Sequence, residues 1–314
     1  MEYEEEGKRG WLAIFLSLMF ILIVMVLLSV YWFFPRGVIK FESEPMNSNF
    51  SLSGFSKGEI QFYPNMRYVD KEISYKIYDC PLQKKNRVEG AFGILENKSV
   101  VGFYPVESGE EISVTCDSKN KFDGGLFILG EGGPSKIIKS KEFNVILNGE
   151  ILLIKDSKCG NPNVALHELL HALGFEHSDN SKNIMYNISE CGQEIGGEII
   201  ELLNELYSIP SYPDIVLENV SAVMNGRYLN VNMTIMNGGL KSSEDSGIFI
   251  YADDKLVQEI NLDEFDVGSG RTISLTELWI NQLSVNKLEF IIESNFEELD
   301  KKNNKIILEI KKEK

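Results

Sequence analysis

The chain has 314 residues, 43% of them apolar, which is enough to fill the cores of two ordinary domains and excludes a wholly disordered protein. Lys and Arg total 31 against 47 for Asp and Glu, giving a formal charge of -16. A surface of that sign repels phosphate backbones and argues against a nucleic-acid partner. The only three histidines fall within eleven consecutive residues, at His167, His171 and His177.

The first predicted element is a membrane helix. Residues 11–34 run 24 positions without a charge. As a helix they span roughly 36 Å against a hydrocarbon core of about 30 Å. Trp11 at one end and Tyr31 with Trp32 at the other are spaced like an interfacial aromatic belt. No small-residue cleavage site follows, so the helix is expected to stay as an anchor, the rival being a cleaved, secreted form. Lys8 and Arg9 before it nearly balance Arg36 and Lys40 after it. The tie is broken by the four cysteines, Cys80, Cys116, Cys159 and Cys191, all beyond the helix and even in number, as two disulfides in an oxidising compartment require. Sequons at Asn49, Asn97, Asn187, Asn219 and Asn232 also lie only beyond it, which adds weak support for a glycoprotein. The expected topology is a cytoplasmic tail (1–10), a transmembrane helix (11–34) and a body outside the cell membrane.

Residues 35–58, rich in Ser, Asn, Gly and Glu, are expected to form a stalk. From 59 to 210 strand-like and helical runs mix. Residues 72–78, 100–104, 111–116 and 143–154 read as strands, with Asn148-Gly149 in the last a hairpin signal. Residues 164–173 and 193–207 read as helices. After Pro210 and Pro213 the chain changes to short alternating segments, at 228–236, 246–251, 271–279, 287–293 and 305–310, separated by Gly-containing turns. Such a pattern over about 100 residues predicts an all-β, immunoglobulin-like sandwich at 211–314.

The chemistry concentrates in Val164–His177, V-A-L-H-E-L-L-H-A-L-G-F-E-H. On a helix His167 and His171 lie one turn apart on the same face, where both imidazoles reach one ion. Gly174 can take a left-handed backbone, end the helix and bring His177 to the same point. Three protein ligands leave the fourth tetrahedral position to water, the mark of a catalytic zinc. Glu168, next to the first histidine, is placed to act as the general base toward that water.

This H-E-x-x-H-x-x-G-x-x-H pattern resembles the metzincin clan of zinc metallopeptidases. His177-Ser178-Asp179 and Asn183-Ile184-Met185-Tyr186 narrow the resemblance to the matrixin branch. It implies an α+β peptidase domain with a mixed sheet, an active-site helix and a C-terminal helix. Met185 is then the Met-turn residue, and Tyr186 a candidate for the border of the specificity pocket. Asn187 stands where proline is frequent in that branch. No histidine remains for a second, structural zinc, and no cysteine precedes the domain to cap the ion, so one catalytic zinc and no cysteine switch are expected. Four cysteines allow three pairings. Cys159 with Cys191 is favoured, joining the start of the active helix to the chain beyond the Met-turn, and hence Cys80 with Cys116.

Residues 293–304, together with Pro213-Asp214 and Met236-Asn237-Gly238-Gly239, resemble the CARDB type of adhesion-related domain. Their acidic turn reads as a solvated turn, with a weak calcium site as the lesser reading. The whole chain is thus expected to be a membrane-anchored zinc endopeptidase. Its partners would be protein or peptide substrates and a surface protein for the terminal module. The alternative is a zinc-stabilised adhesion or scaffold protein without turnover.

Overall fold

A computed structural model describes residues 3–33, 38–43, 60–119, 121–123, 126–155, 158–282 and 284–310. The first helix, α1 (Tyr3–Phe33), runs back through much of the expected tail. Its described side chains, Trp11 and 14–29, are exposed. Among the described residues no helix is long and apolar enough to cross a membrane.

The first domain is α+β. Its sheet contains β2 (Met66–Tyr68), β3 (Glu72–Ile77), β4 (Gly102–Pro105), β5 (Ile112–Cys116), β8 (Gly130–Lys139) and β9 (Asn144–Leu153). The order is β2-β9-β5-β3-β4, all parallel, with β8 running antiparallel along β9. A small hairpin, β6 (Lys121–Asp123) with β7 (Leu126–Ile128), precedes β8. Two helices cover the sheet: α2 (Leu82–Glu96) and α3 (Asn163–Ala172), with α4 (Gly197–Ser208) closing the domain. Val88, Ala91, Phe92 and Leu95 of α2 and Leu169, Leu170 and Ala172 of α3 join Ile73, Ile112, Val114 and Ile151 of the sheet in one buried cluster.

Two expectations are corrected here. Asn148-Gly149 makes no hairpin, since β9 passes straight through it in register with β5 and β8. Gly149 is needed because the Tyr68 ring crosses the strand, its hydroxyl donating to Ala172 O at 3.0 Å, and a Cβ would strike it. The helix α2 was not anticipated, although Val88, Ala91, Phe92 and Leu95 have the spacing of one helical face. Gly90 and Gly93 obscure that signal, and Pro162 packs in ordinary contact with the Cβ position of Gly90.

The second domain is all-β: β10 (Ile215–Asn225), β11 (Tyr228–Asn237), β12 (Ser246–Ala252), β13 (Lys255–Leu262), β14 (Gly270–Trp279), β15 (Lys287–Ser294) and β16 (Lys305–Ile310). Every pairing within it is antiparallel. The expected stalk, 35–58, is corrected in part: residues 38–43 are a strand, β1 (Val38–Ser43), inserted between β16 and β10. Phe41 is buried in the sandwich core with Ala222, Met224 and Leu308. The rest of the stalk lies outside the described residues. A strand from before the first domain therefore completes the second, and the first domain is an insertion between β1 and β10.

The two domains share a buried cluster, Phe143 and Val145 against Leu240, flanked by Ile209, Val267 and Leu299. Ser140 Oγ donates to Gly239 O at 2.7 Å, and Lys241 pairs with Asp70 at 3.4 Å. The linker is pinned by the buried Arg67, whose guanidinium donates to the carbonyls of Tyr68, Val69, Leu206 and Ile209 and to Ser211 Oγ.

Candidate metal centre

The helix α3 ends as the glycine requires. Gly174 has φ +92°, its N–H bonds His171 O at 2.8 Å, and Phe175 N bonds Leu170 O at 3.0 Å. The reversed chain pairs with residues 60–62 through Phe62 N to Gly174 O and Glu176 N to Ile60 O. This turn carries His177 back over the face bearing His167 and His171.

The three Nε2 atoms form a triangle with edges of 3.0, 3.1 and 3.3 Å. Nitrogens bound tetrahedrally at about 2.0–2.1 Å from zinc lie roughly 3.3–3.4 Å apart, so the set is near the size for that ion. The other ring nitrogens fix the tautomers: His167 Nδ1 is 2.7 Å from Ile184 O, and His171 Nδ1 is 2.7 Å from Phe175 O. A carbonyl only accepts, so each Nδ1 carries the proton and each Nε2 lone pair faces the centre. Burial, reinforced by His167, pushes His171 down to about 4, and burial also lowers His167. Both are neutral at physiological pH, as ligation demands. Lone pairs converging without a proton between them fit a cation, and these three residues form the one metal-type group among the described residues.

Glu168 projects from the next position and is 6% exposed. Burial, with Glu131 as the lesser cause, pushes its carboxyl up to about 8. It is held against β8, where sequence reasoning saw no element. Gly130 and Gly132 permit the approach: a Cβ on Gly130 would lie 2.7 Å from Glu168 Cγ, and one on Gly132 would lie 2.8 Å from Glu168 Cα. The run G-E-G-G-P looks like a loop because glycine and proline weaken strands; here they mark a strand lying against a helix.

Met185 is fully buried in the core cluster that also holds Leu169, Leu170 and Ile184. Asn183 shapes its turn, with Oδ1 accepting from Met185 N at 2.9 Å, and Ser178 N bonds Met185 O at 2.9 Å. Tyr186 and Asn187 line the cleft with Ile188 and, opposite, Ile128 and Glu131. The cysteines pair as Cys80–Cys116 and Cys159–Cys191. The second disulfide and Arg87, which donates to Cys159 O and Gly160 O, hold the entry to α3.

In the second domain the acidic turn is tied up by protein donors. Asp214 accepts from Asp300 N and Asn303 Nδ2, and Glu298 accepts from Ile215 N, Ser294 Oγ and Asn304 Nδ2. These carboxylates latch the end of the sandwich, and their lone pairs face N–H and O–H groups.

An α+β domain in which two imidazoles from α3 and a third from the chain beyond Gly174 converge defines the class of proteins with a three-histidine metal centre. Comparison with known families finds two matches: residues 67–198 match the Matrixin family model and residues 212–307 match the CARDB model. The first domain is thus similar to the matrixins, a family of zinc metallopeptidases, and the second to CARDB domains. No curated protein matches it.

Proposed function

We propose that the protein is a zinc endopeptidase held at a membrane by α1, with its body outside the cell. The observation that carries the peptidase reading is the triangle of His167, His171 and His177 Nε2 atoms beside the buried Glu168. These three histidines would hold zinc. When bound, zinc supplies Lewis acidity, lowering the pKa of a water and polarising a carbonyl. Glu168 takes the proton of the attacking water and returns it to the leaving amine. Its raised pKa suits proton return, and the charge of a bound cation opposes that rise. Met185 packs beneath the ligands, and Tyr186 borders the pocket.

Among the described residues β8 pairs only with β9, and its residues Gly130, Glu131 and Gly132 line the cleft. An extended peptide adding to that edge is bound through main-chain hydrogen bonds, which favours unfolded or looped protein. The anchor is supported by the 24 uncharged positions of residues 11–34 and by the exposed apolar side chains of α1. The two disulfides support an oxidising compartment. Asn97, Asn187, Asn219 and Asn232 are exposed, as glycan acceptors must be.

The test compares wild type with Glu168→Ala on an unstructured protein substrate, with and without a zinc chelator. Chelator-sensitive cleavage that disappears in the variant, with about one zinc retained per chain, is expected. A folded, zinc-loaded but inactive wild type would favour the adhesion or scaffold reading.

A further inference from the structure

Two exposed aromatic side chains stand at one end of the sandwich. Tyr228 is 48% exposed and Trp279 43% exposed, and their rings meet edge-on at 5.3 Å. The guanidinium of Arg227 lies 5.4 Å from the Trp279 ring centre. Trp279 is the only tryptophan outside residues 1–34.

Their position follows from the ladder of β1. Val38 pairs with Asn225, Asn225 with Tyr228, and Tyr228 with Trp279. These four residues form one terminal rank across β1, β10, β11 and β14, about 14 Å wide at the usual strand spacing. Val38 is also where the chain enters from α1, whose last residue is Phe33. Five Cα–Cα steps join them, and such a link reaches at most about 18 Å. The end of the sandwich bearing Tyr228 and Trp279 is thereby tethered to the end of the anchor.

We infer that Tyr228 and Trp279 form a membrane-contact site, in which the CARDB domain rests on the interface of the leaflet from which α1 emerges. This rests on reading α1 as an anchor. Tyr and Trp combine an apolar ring with a polar O–H or N–H, the combination that places them at the headgroup level of bilayers. The buried Arg227 backs the Trp279 ring with its guanidinium and leaves the exposed part of the ring to the outside. Docking at this rank holds the sandwich against the bilayer, and the inserted peptidase domain takes its place from the sandwich through the Phe143–Leu240 contact.

The test uses the full chain in phosphatidylcholine vesicles with one tryptophan at a time. The Trp11→Phe, Trp32→Phe variant reports on Trp279, and the Trp11→Phe, Trp279→Phe variant reports on Trp32. Loss of emission from both reporters with lipid brominated near the top of its acyl chains is expected, and Tyr228→Ser should weaken the loss at Trp279 alone. Quenching of Trp32 with Trp279 unquenched and open to acrylamide would overturn the contact while leaving the anchor intact. An unchanged loss at Trp279 after Tyr228→Ser would overturn the role of the pair. No quenching of either would remove the anchor and the contact together.

Discussion

Gly132 lies directly against the backbone of Glu168, with no room for a side chain between them: its Cβ position is 2.8 Å from Glu168 Cα and 2.9 Å from Glu168 C. A backbone cannot yield as a flexible side chain does. Gly132→Val should therefore push β8 off α3, costing about 1–3 kcal/mol of stability and widening the cleft. Urea unfolding and cleavage assays on the purified variant measure both effects, and a variant equal to wild type would contradict the contact.

Arg67 joins the core of the first domain to the linker. It is 2% exposed, and burial lowers its pKa, yet four carbonyls and the Tyr207 ring receive its guanidinium. Arg67→Met would leave those carbonyls unpaired. Roughly 3 kcal/mol or more should be lost, since each buried acceptor without a donor costs about 1–3 kcal/mol. Hydrogen exchange at residues 206–211 should speed up before that of the sheet, whereas exchange unchanged there would place the linker's restraint elsewhere.

The Cys159–Cys191 bond closes a segment with a sequence separation of 32 that contains all of α3 and the Met185 turn. Replacing both cysteines by serine should cost about 2–4 kcal/mol and weaken zinc retention, because the restrained segment includes every proposed ligand. The comparison is zinc release to a chelator with and without the bond. Equal release rates would separate the disulfide from the metal site.

Asp214 gives a pH dependence of stability. Burial pushes its carboxyl up to about 6 from the ordinary 3.8, despite bonds from Asn303 and Asp300. The folded state then binds the proton more tightly than the unfolded chain. Stability from this group falls as pH rises from about 4 to 6, and the penalty, on the order of 3 kcal/mol, is fully present above that window. Asp214→Asn removes it. The difference in urea midpoint between variant and wild type should shrink as pH falls from 7 to 5, and parallel curves would exclude the assignment.

The candidate site was legible in the sequence because its ligands are local. His167 and His171 share a helix, and a single left-handed residue, Gly174, brings His177 to them, so spacing alone carries the geometry. The alternating segments beyond Pro213 likewise announced the sandwich, because each strand shows its buried face in its own residues. The helix α2 was readable in principle from Val88, Ala91, Phe92 and Leu95.

What only the tertiary structure decided is whatever depends on residues far apart in the chain. Gly130 and Gly132 read as loop, and their meaning appears only when Glu168 is placed against them. Gly149 read as a turn because the ring that requires it, Tyr68, is remote in sequence. The short run Val38–Ser43 holds too few residues to declare a partner, and its pairing with β10 and β16 joins segments more than 170 residues apart. Local patterns fix which face of an element is buried. Which elements meet, and where a missing side chain is demanded, is set by packing between distant parts of the chain.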